Sequence, residues 1–216
     1  MTDARIDILV RVRAASAVAA QPIPRGYRRH GTLTGSERVA LFRTRAAEYR
    51  AEVDQVDADT VAEHVDAVCA RLGATRLLVP TAIPPSWRPR TVEVVHDDEL
   101  SHRALSACDG TLTGCTVAIA ETGTIVLAAQ PHEGRRALTL IPDLHICVVR
   151  ESQIVELLPE AFALLAQKGL EQKPLTFISG PSATSDIELT RVEGVHGPRN
   201  LVIVITERTG AAVPIV

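Results

Sequence analysis

Three short stretches hold the residue types that can do chemistry. The first is Ala120-Glu121-Thr122-Gly123-Thr124, a carboxylate at a glycine turn between two apolar runs. At the mouth of a cleft Glu121 can act as general base, nucleophile or ligand contact, with Thr122, Gly123 and Thr124 beside it. It can equally be a turn residue that accepts nearby backbone amides, and the residue types leave both readings open. The second stretch, Ser179-Gly180-Pro181-Ser182-Ala183-Thr184-Ser185-Asp186-Ile187-Glu188, follows the apolar pair Phe177-Ile178. Ser185 and Glu188 have capping-box spacing, which predicts a helix start. Free amides there, with Gly180, Pro181, Ser182, Thr184, Asp186 and Glu188 around them, can receive a phosphate or a carboxylate. A capped helix without a ligand fits the same letters, and capping is the commoner use. The third stretch is Gly194-Val195-His196-Gly197-Pro198-Arg199. A histidine between glycines is poorly placed for a core, so His196 is a second candidate catalytic residue. Gly197 and Arg199 are candidate ligand contacts, Arg199 because a guanidinium clamps a carboxylate. A tight surface loop carrying a His and an Arg is the alternative.

Several familiar chemistries do not fit. A Ser182/Asp186/His196 triad lacks the G-x-S-x-G elbow that a strained nucleophile turn requires, since Pro181 precedes Ser182 and Ala183-Thr184 follows it. No Gly-Lys-Ser/Thr marks a P-loop, and no G-x-G-x-x-G marks a dinucleotide site. The four cysteines, Cys69, Cys108, Cys115 and Cys147, form no C-x-x-C pair. They therefore read as small buried hydrophobes, not as ligands of a metal or an iron–sulfur cluster. A net charge of -3 gives no reason to expect nucleic acid or a membrane surface as partner. Asp3, Asp7, Arg11 and Arg13 interrupt any leader-like apolar run, and no stretch is long enough to span a membrane, so a cytoplasmic protein is expected.

The 216 residues suit one domain with a short N-terminal appendage. Apolar residues make up 46% but aromatics only 3%, so Val, Ile, Leu and Ala must fill the core. Residues 1–35 read as a peripheral helix over 4–20 and a Pro/Gly/Arg linker, and residues 36–216 as the domain proper. Helices are predicted from Ser36, from Asp59 or Thr60 to a stop at Gly73, weakly over 98–108, over 152–158 and over 160–167. Strands are predicted at 77–79, 92–95, 117–120, 124–127, 138–141, 146–149, 177–178 and 201–205. Short buried strands alternating with helices indicate an α/β fold with a mostly parallel central sheet flanked by helices. The turn at Gly123 implies some antiparallel pairing. All three chemical stretches fall where strands meet loops, and the expectation is that they converge on one cleft.

Taken together, four runs resemble the LUD-domain family. They are Ala118–Leu127, Leu144-His145-Ile146, Gly180–Glu188 and Gly194–Arg199, in matching order and spacing, and the resemblance spans residues 36–208. It implies a fold similar to the sugar-phosphate isomerase and CoA-transferase superfamily. It also implies work alongside two iron–sulfur partner proteins that oxidise L-lactate to pyruvate. The clusters would sit on those partners, leaving this chain a non-redox component with no cofactor of its own and a cleft for a small carboxylate or phosphate. Two other roles on the same fold stay open: a stand-alone acyl- or phosphate-handling transferase or isomerase, and a small-anion sensor or assembly factor. Some CoA-transferases use a glutamate in a comparable strand–turn setting, which carries over to Glu121 only as an option, because the surrounding motif differs.

Overall fold

The computed structural model describes residues 3–15, 26–184, 192–194 and 196–207. Its elements, in chain order, are α1 (Asp3–Ala15), α2 (Gly35–Glu48), β1 (Glu52–Val56), α3 (Val61–Leu72), β2 (Arg76–Val79), β3 (Glu93–His96), α4 (His102–Leu105), β4 (Gly110–Gly114), β5 (Val117–Ile119), β6 (Thr124–Leu127), β7 (Leu144–Arg150), β8 (Ile154–Val155), α5 (Leu158–Gln167), β9 (Thr176–Ile178), β10 (Ala183–Thr184), β11 (Val192–Glu193) and β12 (Asn200–Thr206). Six strands form one sheet in the order β1-β12-β7-β4-β2-β3, and every pairing in it is parallel. A second sheet, β8-β5-β6-β9, carries the antiparallel hairpin expected around Gly123. The mixed α/β class and the parallel central sheet are as the sequence indicated.

Alternation along the central strands explains the layers. On β7, Leu144, Ile146 and Val148 face a core shared with Val61, Val65, Val68 and Cys69 of α3. Cys147 and Val149 of the same strand face Val39, Phe42 and Ala46 of α2, together with Ala118 and Ile125 of the second sheet. A parallel strand buried on both faces must be apolar at nearly every position, which is why β7 and β12 read as continuous runs. Val117, Ile119 and Val126 turn the other way, onto Ala161 and Leu165 of α5. The result is four layers: α3, the parallel sheet, α2 beside the small sheet, and α5.

Two predicted elements are corrected. Residues 138–141 form no strand; Arg136–Thr139 is a 3-10 turn whose Leu138 packs against Leu78, Leu105 and Cys108. Apolar residues at 137, 138 and 141 satisfy a helical turn as well as a strand, and periodicity cannot separate the two over so few positions. The helix predicted over 152–158 is instead a 3-10 turn followed by β8, because Ile154 and Val155 pair with Ala118 and Ile119. Partner strands here override local propensity. The predicted helix start at Ser185 lies outside the described residues; Ala183 and Thr184 before it pair with Glu193 and Val192.

The chain ahead of α2 is tied to the domain. The buried Glu156 carboxylate accepts the Thr32 and Leu33 amides at 2.6 and 2.7 Å, and Glu160 accepts that of Gly31 at 2.9 Å. Glu160 also accepts the Glu156 and Leu157 amides at the start of α5, both at 2.9 Å. Burial works to raise the Glu160 pKa, and these amides outweigh it and hold it below the ordinary carboxylate value.

Candidate functional site

The C-terminal turn of α2 is the platform on which the first two stretches meet. Gly123 closes the β5–β6 hairpin with φ +61°, and a Cβ there would collide with the Arg45 and Ala46 backbone. Only glycine allows both the left-handed turn and this close approach. Gly180 lies against Tyr49 at the end of the same helix, where a Cβ would strike the Tyr49 carbonyl. Hydroxyl groups stitch the two loops together: Thr122 to Thr124 at 2.7 Å, and Thr124 to Ser179 at 2.7 Å.

The second stretch in turn holds the third. Ser182 donates its amide to the Pro198 carbonyl at 2.8 Å, and its carbonyl accepts the Gly194 amide at 2.8 Å. Its hydroxyl accepts the His196 amide at 3.1 Å. Between these loops lies a cleft of about 300 Å³, lined by Ser179, Gly180, Pro181, Ser182, Ala183, His196, Gly197 and Pro198, with Thr176–Ile178 of β9 on one wall. That volume is at the small end of ligand pockets.

Two further cleft residues were not selected from the sequence. His145, the second residue of β7, lines the cleft although it is only 1% exposed. Its Nε2 shares a 2.8 Å hydrogen bond with the Thr113 hydroxyl of the neighbouring strand. A histidine interrupting an otherwise apolar strand was the available signal. Arg136 lines the same cleft. Its neighbour Arg135 is bound bidentately to Asp97 at 2.8 and 2.9 Å, while Arg136 has no ion pair among the described residues. Nothing in the dipeptide distinguishes the two arginines before folding.

The remaining candidates sit elsewhere. Glu121 does not line the cleft; its carboxylate meets Arg28 at 2.5 Å, and the same guanidinium lies 3.5 Å from Glu156. Arg199 bonds Asp143 at 2.8 Å and is not a lining residue. Thr184 lies in the β10–β11 ladder. Asp186 and Glu188 fall outside the described residues. The three stretches are thus contiguous, but only the second and third enclose the cleft. A guanidinium, two imidazoles, a hydroxyl and a glycine-rich backbone around a small space suit an oxyanion.

A family model for the LUD domain matches residues 41–206, from the middle of α2 to the end of β12. This chain belongs to the LUD-domain family. The LUD-domain chain is 44% identical over 205 residues to lactate utilization protein C of Deinococcus radiodurans, covering 94% of this chain and 95% of that one. It is 37% identical over 97 residues to lactate utilization protein C of Geobacillus kaustophilus, covering 43% and 40% of the two chains. A crystal structure of a DUF162 family protein from Deinococcus radiodurans superposes with a TM-score of 0.71 at 40% identity, covering 81% of this chain and 99% of that one. The LUD-domain match takes in all three chemical stretches and both added cleft residues.

Among the described residues no helix is long and apolar enough to cross a membrane. The four cysteines are free and buried. A hydrogen bond to Cys147 and burial push the Cys115 thiol well above its ordinary value, so it stays protonated.

Proposed function

We propose that this LUD-domain protein serves lactate utilisation as a non-redox subunit, holding a small carboxylate in the cleft over His145 while iron–sulfur partner proteins carry the electrons. The relatives named lactate utilization protein C, one of them aligned over nearly the whole chain, support the pathway. The observation that carries the site is the meeting of Ser182, His196, His145 and Arg136 around one small cleft, Arg136 having no ion pair among the described residues. In this reading Arg136 takes the carboxylate through its fork of N–H donors, and Ser182 or an imidazole takes the neighbouring oxygen. Asp143 holds Arg199 so that the 194–199 loop is braced, leaving Arg199 a positioning residue.

Tagged protein purified from lactate-grown cells is the test, with iron and absorbance measured on the eluate and lactate oxidation assayed. Co-purification of iron-containing partners that oxidise lactate is expected. Calorimetry of the purified chain should show lactate or pyruvate binding, weakened about tenfold in Arg136→Gln by loss of a charge-assisted hydrogen bond. Protein recovered alone, together with normal lactate oxidation in cells that lack it, would overturn the subunit role. Unchanged binding in Arg136→Gln and Ser182→Ala would overturn the site.

A further inference from the structure

The cleft over His145 opens at the amino ends of β7 and β12, since His145 and Leu201 are each the second residue of their strand. Parallel sheets of this kind more often bind ligands at the opposite, carboxyl ends, where the strand order reverses. Here β2 is followed outward by β3, whereas β4, β7 and β12 are laid down on its other side. The reversal therefore falls between β2 and β4. Gly114 and Arg150 end β4 and β7 on the carboxyl side of the sheet.

Basic and aromatic side chains lie at these strand ends. Gly114 ends β4 without a side chain, and a Cβ there would lie 2.6 Å from the His132 ring and 3.4 Å from the Trp87 ring. Both rings thus sit directly on the strand end. Trp87 is buried, and the Arg150 guanidinium at the end of β7 stands 5.3 Å over its ring. Arg150 has no carboxylate partner among the described residues. The Nε of Arg88, next to Trp87, is buried without any hydrogen-bond partner. Among the described residues its Nη2 donates to the Ile83 carbonyl at 3.2 Å.

The nearby acid is held mainly by other donors. Glu133 is fully buried and accepts the Thr116 hydroxyl at 2.6 Å and the Ala128 and Gln130 amides at 2.7 and 2.9 Å. It stands 3.9 Å from His132 Nε2, whose nearer contact is the Cys115 carbonyl at 3.3 Å. An unsatisfied buried N–H of a charged side chain is costly, and such a group has an evident use when an anion completes it.

We infer that the carboxyl ends of β2, β4 and β7 hold a second oxyanion site, in which Arg150, Arg88 and His132 receive a small carboxylate or phosphoryl group beside Trp87. Trp87 holds the Arg150 fork in place by stacking, so the guanidinium is oriented before the anion arrives.

Trp87 is the single tryptophan of the chain, so intrinsic fluorescence reports on this site. Inorganic phosphate and oxalate are titrated separately into the full chain at constant ionic strength held with chloride. A saturable change in Trp87 emission is expected for at least one of them, and the stronger of the two identifies the preferred chemistry. Arg88→Gln and Arg150→Gln should each raise the midpoint about tenfold or more, as loss of a charged hydrogen bond does. Arg150→Lys should recover part of the affinity, having charge without the fork. Because Arg150→Gln alters the stacking on Trp87 directly, calorimetry of both glutamine variants provides the second readout. Ser182→Ala, in the other cleft, should leave the emission titration unmoved. An emission that does not saturate with either anion would overturn the proposal. So would a midpoint that Ser182→Ala shifts while Arg88→Gln does not.

Discussion

Replacing Gly123 with alanine tests the platform that joins the hairpin to the cleft. Two costs apply. Alanine at φ +61° enters the left-handed region, which disfavours a Cβ by about 1–2 kcal/mol. The new methyl would also stand 2.5 Å from the Arg45 carbonyl carbon and 2.8 Å from the Ala46 Cα. These are backbone atoms of a packed helix and cannot swing aside, so the collision adds an overpacking cost of about 1–3 kcal/mol. Gly73 supplies the control. It ends α3 at φ +70°, and a Cβ there would meet nothing within 4 Å. Gly73→Ala therefore carries the conformational cost alone, about 1 kcal/mol. Both substitutions restrict the unfolded chain equally, so that contribution cancels between them. Urea unfolding followed by circular dichroism should place Gly123→Ala about 2 kcal/mol below Gly73→Ala. In a thermal scan a domain of this size falls about 2–4 °C per kcal/mol, so the two variants separate clearly. Equal destabilisation would refute the close approach of hairpin and α2. The displaced hairpin should also pull Thr124 from Ser179, so ligand binding in the cleft should weaken in Gly123→Ala and not in Gly73→Ala.

Other expectations follow from the charges and thiols. Hydrogen bonds from Arg135 hold Asp97 below its ordinary pKa, and the Thr75 amide does the same for Asp109. Carboxylates depressed on folding contribute stability above their unfolded pKa, about 4, and that contribution is lost as pH falls through the folded value. Acid titration of stability should therefore show a loss beginning near pH 4, and Arg135→Gln should shrink it; an unchanged acid limb would count against the Asp97 pair. Glu121→Gln breaks an exposed ion pair with Arg28, so it should cost less than about 1 kcal/mol of stability. A marked loss of lactate oxidation by a reconstituted complex would then mark Glu121 as functional, whereas retained activity would make it structural. With all four cysteines buried, a colourimetric thiol reagent should label none in the native protein and four after denaturation. Rapid native labelling would contradict the packing around Cys69, Cys115 and Cys147.

What the sequence determined by itself was set by local rules. The apolar period of α3 and its stop at Gly73, the turn at Gly123, and the apolar runs 146–149 of β7 and 201–205 of β12 each follow from contacts within a few residues or from burial on both faces. The candidate loops were legible for the same reason, since glycine, proline and hydroxyl residues mark turns by their own conformational limits. Other features needed the tertiary structure. β4 is Gly-Thr-Leu-Thr-Gly, which reads as a loop, yet it lies between β2 and β7 with its threonine hydroxyls bonded to the Leu78 carbonyl and to His145. β1 carries Glu52 and Asp54, which only an edge position tolerates. The division of labour among arginines was equally invisible: Arg28, Arg135 and Arg199 are taken by acids 93, 38 and 56 residues away in sequence, while Arg136, at the cleft, has no ion pair among the described residues. A side chain's charge is written in the sequence, but whether that charge is already neutralised depends on partners that only the folded chain brings within reach.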